Sequence, residues 1–201
     1  MQEQAEKLAR AVSQLYEGDL ITPTGGNVSC RWEENFLVTP SGKNKGSLLP
    51  EDMLLVDQKG KVLCGEGRPS IEVAMHLAIY QAQQHINAVI HDHALSPLLV
   101  GACQLPLTPV ALETCPFQEL PRLPFYPPGS EQLAREAAMS MGRGRAVLLT
   151  NHGALTGGGS LEEAVHLSFM LERAARMSLW VALIKRPALT IPGDLMDKLK
   201  M

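Results

Sequence analysis

The sequence predicts one α/β domain, with helices covering a mixed sheet, and three observations carry that reading. Short apolar runs of strand length alternate with segments of helical period, and turn residues punctuate them throughout. No repeat, linker or low-complexity stretch divides the 201 residues, a length that can bury a single core, so 1–201 is read as one domain.

Residues 2–17 carry Ala5, Leu8, Ala9, Val12, Leu15 and Tyr16 at helical spacing and stop at Gly18. Thr22-Pro23-Thr24-Gly25-Gly26-Asn27 is a loop, and it leads into the alternating Val28-Ser29-Cys30-Arg31-Trp32. Phe36-Leu37-Val38-Thr39 returns across Glu33-Glu34-Asn35 as a hairpin. Pro40-Ser41-Gly42 is a second small-residue loop, and Leu54–Asp57 with Lys61–Leu63 makes another hairpin around Lys59-Gly60. Ser70 reads as the cap of a helix to about Gln83, with Glu72 in its first turn and Val73, Leu77 and Tyr80 on one face. Ile86–Ile90 is the next strand, ending in His91-Asp92-His93, and a short helix from about Ser96 to Cys103 follows. Prolines at 106, 109, 116, 121, 124, 127 and 128 make the middle segment irregular, with short edge strands at most. Ser130 opens a helix to about Met141, and Ala146–Thr150 is a buried strand. Gly157-Gly158-Gly159 lacks the spacing of a dinucleotide fingerprint and reads as a flexible lead into Ser160-Leu161-Glu162-Glu163. That capping box opens a long helix through about Ile184.

Hydrophobic residues make up 45% and charged residues 19%, as in an ordinary globular protein. A net charge of -3 without any Lys/Arg-rich run argues against a nucleic-acid or anionic-membrane partner. The first residues are acidic and helix-forming, with no apolar leader, so a cytoplasmic location is expected. Cys30, Cys64, Cys103 and Cys115 are scattered and read as reduced thiols; Cys30 has no histidine near it in sequence and is assigned to packing.

The chemistry concentrates on histidine. In an extended chain residues i and i+2 point to one side, so His91 and His93 can present both imidazoles to one point. His152, after the run Ala146–Asn151, can supply the third ligand of a catalytic metal site with an open position. The alternative is that the pair marks a strand exit and His152 is incidental. Glu72 is either a carboxylate favoured by the helix dipole or, next to a metal, a general acid/base. The loops Thr24–Asn27 and Thr39–Gly42 are either hairpin connections or, with the start of the Ser70 helix, a cradle for phosphate. His76, His85 and His166 read as structural or surface histidines, although His76 lies one turn after Glu72.

Taken in order, Gly25-Gly26-Asn27-Val28-Ser29, Thr39-Pro40-Ser41-Gly42, Pro69-Ser70-Ile71-Glu72, His91-Asp92-His93 and Asn151-His152-Gly153 resemble the class II aldolase/adducin family over nearly the whole chain. Within it the chain is similar to sugar-phosphate enzymes typified by L-fuculose-phosphate aldolase and L-ribulose-5-phosphate 4-epimerase. The resemblance implies a three-layer α/β/α sandwich with a mixed, largely antiparallel central sheet. It implies that His91, His93 and His152 hold Zn2+ or another divalent metal such as Mn2+, Fe2+ or Co2+. It makes Glu72 the acid/base and Gly26, Asn27, Ser41, Gly42 and Ser70 the phosphate cradle. It further implies a sugar-phosphate or sugar-acid substrate and a homotetramer. The expected activity is aldol cleavage through a metal-stabilised enediolate. Epimerisation, decarboxylation and a non-catalytic adducin-like role stay open. Two departures stand out. Ile71 replaces a second serine before the glutamate, and Tyr16, Tyr80 and Tyr126 match neither tyrosine the aldolase uses.

Overall fold

The computed structural model describes residues 1–142 and 145–196. Its strands are β1 (Asn27–Trp32), β2 (Asn35–Val38), β3 (Leu54–Val56), β4 (Val62–Cys64), β5 (Ala88–Asp92), β6 (Arg122–Leu123), β7 (Ala146–Leu149) and β8 (Gly153–Gly158). They form one eight-stranded sheet in the order β4-β3-β2-β1-β5-β8-β7-β6. Every neighbouring pair is antiparallel except β6 with β7. The helices are α1 (Gln2–Glu17), α2 (Val73–Ala82), α3 (Leu95–Ala102), α4 (Glu131–Met141), α5 (Leu161–Ile184) and α6 (Gly193–Met196).

Alternation along the strands divides the core into layers. Phe36, Val38, Leu54, Val56, Val89 and Leu155 face α2 and α4, meeting Met75, Ile79, Tyr80, Leu133 and Ala137. Their sequence neighbours Leu37, Leu55, Ala88 and Ile90, with Val28 and Cys30, face α1 and the start of α5. Farther along the sheet Leu148 and Ala154 meet Leu171, Ala174 and Ala175 of α5. The architecture is therefore the expected α/β/α sandwich with a mixed, mainly antiparallel sheet. Cys30 is buried beside Gln4, whose side-chain amide donates to its sulfur. It packs, as expected.

Two expectations need correction. Ser70 does not cap the helix: α2 begins at Val73, and Glu72 occupies the cap position itself instead of the first turn. The Ser70 hydroxyl accepts the Glu72 amide at 3.3 Å and closes a local turn, so the helix starts two residues later than a Ser70 cap would give. Gly157-Gly158 is not a flexible lead. Both residues belong to β8, a wholly buried central strand between β5 and β7. The glycines are there for contact. A Cβ on Gly157 would lie 2.9 Å from Ile86, and one on Gly158 would lie 2.7 Å from the Ala164 amide. Helix α5 starts directly against the strand, with Ser160 capping it by accepting from the Glu163 amide.

Candidate active site

Strand β5 carries the first part of the site. Val89 points towards α2 and α4 while Ile90 points away, so His91 continues the side of Val89. Beyond the strand, the His93 amide donates to the Leu20 carbonyl at 2.9 Å, fixing the chain as it leaves the sheet. Asn27 is the register partner of His91 on β1, which places their side chains together. His152 sits in the tight turn between β7 and β8, where Asn151 takes a left-handed conformation at φ 59. A Cβ on Gly153 would lie 2.1 Å from the Asp92 carbonyl, and this close approach of β8 to β5 carries His152 to the histidine pair. Gly25 serves similarly, since its Cβ would meet His93 Nδ1 at 2.5 Å.

One ligand atom from each of His91, His93 and His152 lies within 4.8 Å of the others. The Nε2 atoms of His91 and His93 are 3.0 Å apart. Glu72 reaches in from the cap of α2, with Oε2 3.3 Å from His91 Nε2 and Oε1 3.3 Å from His152 Nε2. His91 Nδ1 donates to the Ala154 carbonyl at 3.0 Å, which sets its tautomer and leaves Nε2 with a lone pair. Asn27 Nδ2 donates to Glu72 Oε2 at 3.0 Å and orients the carboxylate.

Burial sets the protonation of the cluster. It holds His91 well below the ordinary histidine range, with the neighbouring imidazoles of His93 and His152 adding to the effect. His93 and His152 are lowered by the same cause, opposed at His152 by the Glu72 carboxylate. Glu72 moves upward through burial, held back by His152 and Asn27. Three neutral imidazoles thus offer nitrogens around one point, beside a carboxyl of raised proton affinity. That donor set fits a divalent metal with an open coordination position.

Around this centre, Ser29 Oγ lies 2.7 Å from His76 Nδ1 and 2.8 Å from the Tyr80 hydroxyl. His76 is a buried structural histidine, as expected, and burial pushes its pKa down to about 3. His85 and His166 are exposed. Asp92, unremarked in the sequence, lies buried on the opposite face from His91, accepting the Ala94 amide at 3.3 Å; burial pushes it up to about 7.

The five residues of the expected cradle are only partly brought together. Asn27 and Ser70 line one small cavity with Ser29, Thr39, Val73 and His76. A bridge between Pro40 and Pro69 draws the Ser41 loop against the Ser70 turn. The Ser41 amide is already spent on the Arg68 carbonyl at 2.8 Å, which leaves its hydroxyl. Gly42 has φ +76 with open space around it, whereas Gly26 is packed between Ile21 and the His91 carbonyl. Ile71 is 68% exposed. Tyr80 is engaged with Ser29, Tyr16 packs on Gly46, and Tyr126 packs on the α2–α4 core, so none of the three stands with the imidazoles. One residue escaped the sequence altogether. Lys45 is only 3% exposed, although it sits in the polar run Lys43-Asn44-Lys45 that reads as surface.

A profile of the Class II Aldolase and Adducin N-terminal domain matches residues 6–179. The chain is 32% identical over 173 residues to the 5-methylthioribulose-1-phosphate/5-deoxyribulose-1-phosphate aldolase of Escherichia coli O45:K1, covering 85% of this chain and 81% of that protein. It is 31% identical over 181 residues to the 3-oxo-tetronate 4-phosphate decarboxylase of Escherichia coli K12, covering 86% and 84%. The crystal structure of YgbL from Escherichia coli superposes with a TM-score of 0.91 at 28% identity, covering 100% of this chain and 99% of that one.

Proposed function

Because the chain belongs to the class II aldolase and adducin family, we propose that it is a single-domain, divalent-metal-dependent lyase acting on a small sugar phosphate or phosphorylated sugar acid. The observation that carries this reading is the convergence of His91, His93 and His152 on one point, with the Glu72 carboxylate against two of them. In this reading the three histidines hold the metal, zinc being the first choice, with manganese, iron or cobalt as alternatives. When bound, the metal supplies Lewis-acid chemistry, polarising the substrate carbonyl and stabilising the negative charge of an enediolate.

The protein's own groups do the rest. Glu72 moves the proton at the enediolate carbon, and the upward pull of burial on its carboxyl suits a group that both takes and returns a proton. Asn27 holds that carboxylate in place. Asn27, Ser70, Ser41, Gly42 and Gly26 make up the proposed phosphate cradle, with Asn27 and Ser70 nearest to a shared cavity. Exposed Leu95, Phe125, Trp180, Leu183 and Ile184 support burial against further copies of the chain in a homotetramer.

Retro-aldol cleavage needs two proton transfers. One takes the hydroxyl proton as the C–C bond breaks, and one gives a proton to the enediolate carbon. Decarboxylation of a 3-oxo acid yields the same enediolate with only the second transfer. Glu72 is a single acid/base, and no tyrosine accompanies it among the described residues, which favours decarboxylation as the second reading. The test is turnover of phosphorylated ketoses and phosphorylated 3-oxo sugar acids by metal-loaded protein. The expected result is chelator-sensitive release of an aldehyde or of CO2 from one of them. Complete inactivity across both classes, with metal bound, contradicts the proposal.

A further inference from the structure

Lys45 is the one lysine among the described residues that is buried, and its contacts join the two glycine loops beside the site. Its amide donates to the Pro23 carbonyl at 2.9 Å, in the loop that leads to Gly25, Gly26 and Asn27. Its Nζ donates to the Pro40 carbonyl at 2.6 Å, in the loop that carries Ser41 and Gly42. That carbonyl is neutral, and no carboxylate among the described residues pairs with the ammonium. Asp52, close in sequence, is taken by Lys43 and by the Leu49 amide. A buried charge with a single neutral acceptor is costly, and native interiors pair such charges or coordinate them. Among the described residues, Lys45 has no countercharge.

We propose that Lys45 is a substrate-binding residue: a buried positive charge, set between the two glycine loops, that supplies the countercharge for the substrate's phosphate. The proposal rests on the reading of these loops as the site of a phosphorylated substrate. Two features place the anion nearby. Pro40, whose carbonyl holds Nζ, directly precedes Ser41 and the open, left-handed Gly42. The bridge from Pro40 to Pro69 sets the same loop against Ser70. In a low-dielectric setting a fixed charge acts over more than contact distance, so Lys45 need not touch the anion to favour it. Burial also holds the Lys45 ammonium below the ordinary lysine range, and a neighbouring dianion would draw it back up.

The experiment uses inorganic phosphate as probe and needs no turnover. Calorimetric titration is run on metal-loaded wild type and on Lys45→Met, Lys45→Arg and Lys43→Met variants. Wild-type protein labelled with 15N-lysine is titrated in parallel by NMR. The expected result is weakening on the order of ten-fold or more in Lys45→Met, recovery in part by Lys45→Arg, and little change in Lys43→Met. The Lys45 resonance should shift saturably with phosphate in the wild type, a reading that stands even if Lys45→Met fails to fold. Equal phosphate affinity in wild type and Lys45→Met, an unmoved Lys45 resonance, or no phosphate binding by the wild type would each overturn the proposal. Saturable phosphate binding with a shifted Lys45, together with no turnover of any phosphorylated sugar, would overturn the lyase reading and leave Lys45 in place.

Discussion

Single side chains settle how the candidate centre is poised. Glu72 spends nothing on capping α2, and its carboxylate instead touches His91 and His152 while Asn27 holds it. Replacing Glu72 with Gln keeps the size and the Asn27 contact but removes the proton carrier. Turnover should fall by roughly 10²- to 10⁴-fold with bound metal unchanged, as read by kcat and metal content together. Near wild-type kcat would make Glu72 an orienting residue only. Gly25 offers a subtler test, because a methyl group there would meet His93 Nδ1 at 2.5 Å. Gly25→Ala should shift the His93 ring and weaken zinc affinity by about 10- to 100-fold, the range seen when a ligand's supporting shell is disturbed. Unchanged affinity in a competition titration would show that the loop yields instead. These contacts were unequally legible beforehand. The i, i+2 spacing of His91 and His93 already announces a shared side, whereas Lys45 lies in a polar run and gives no local sign of burial.

Among the elements, β8 holds the site together and was the least legible. It pairs with β5 from Ala88–Gly158 to Asp92–Ala154, and so brings the turn with His152 beside the histidine pair. Its sequence, Gly153-Ala-Leu-Thr-Gly-Gly158, has Thr156 as its single β-branched residue, no aromatic, and three glycines of the kind depleted in strands. The reason is tertiary. Ile86 and the first turn of α5 press so close that Gly157 and Gly158 have no room for a Cβ. Helix α5 and strand β5, by contrast, declare themselves through a capping box and an apolar run. The account expects Gly158→Ala to lower stability by about 1–3 kcal/mol through overpacking against the α5 backbone. A midpoint in urea equal to that of the wild type would mean that the helix–strand contact relaxes freely.

Across the whole molecule, the site imposes a pH dependence on the metal-free protein. The unfolded chain protonates His76 near 6.5, while the buried side chain resists down to about 3. As pH falls through that window the unfolded state binds the extra proton, so stability is lost at about 1.4 kcal/mol per unit of pH. His91, His93 and His152 are lowered too and act in the same direction. Asp92 opposes them. Its folded carboxyl keeps its proton up to about 7 against 3.8 unfolded, so its contribution is complete below 3.8 and is lost as pH rises through 7. Glu72, also raised by burial, acts with Asp92, but the four imidazoles outnumber the two carboxyls, and the thermal midpoint of metal-free protein should drop between pH 7 and pH 5, less steeply in His76→Gln. A midpoint independent of pH over that interval would contradict the burial argument.

The functional expectations depend on one centre, formed where β5, the β7–β8 turn and the cap of α2 meet. Its most direct test is divalent metal stoichiometry, measured on purified wild type and on His93→Ala and His152→Ala variants that retain the wild-type circular dichroism. The account predicts one metal per chain in the wild type after zinc loading, and far weaker, substoichiometric binding in both variants. A folded wild type that takes up no metal, or variants that hold it as tightly as the wild type, would contradict the claim that these three imidazoles form the centre.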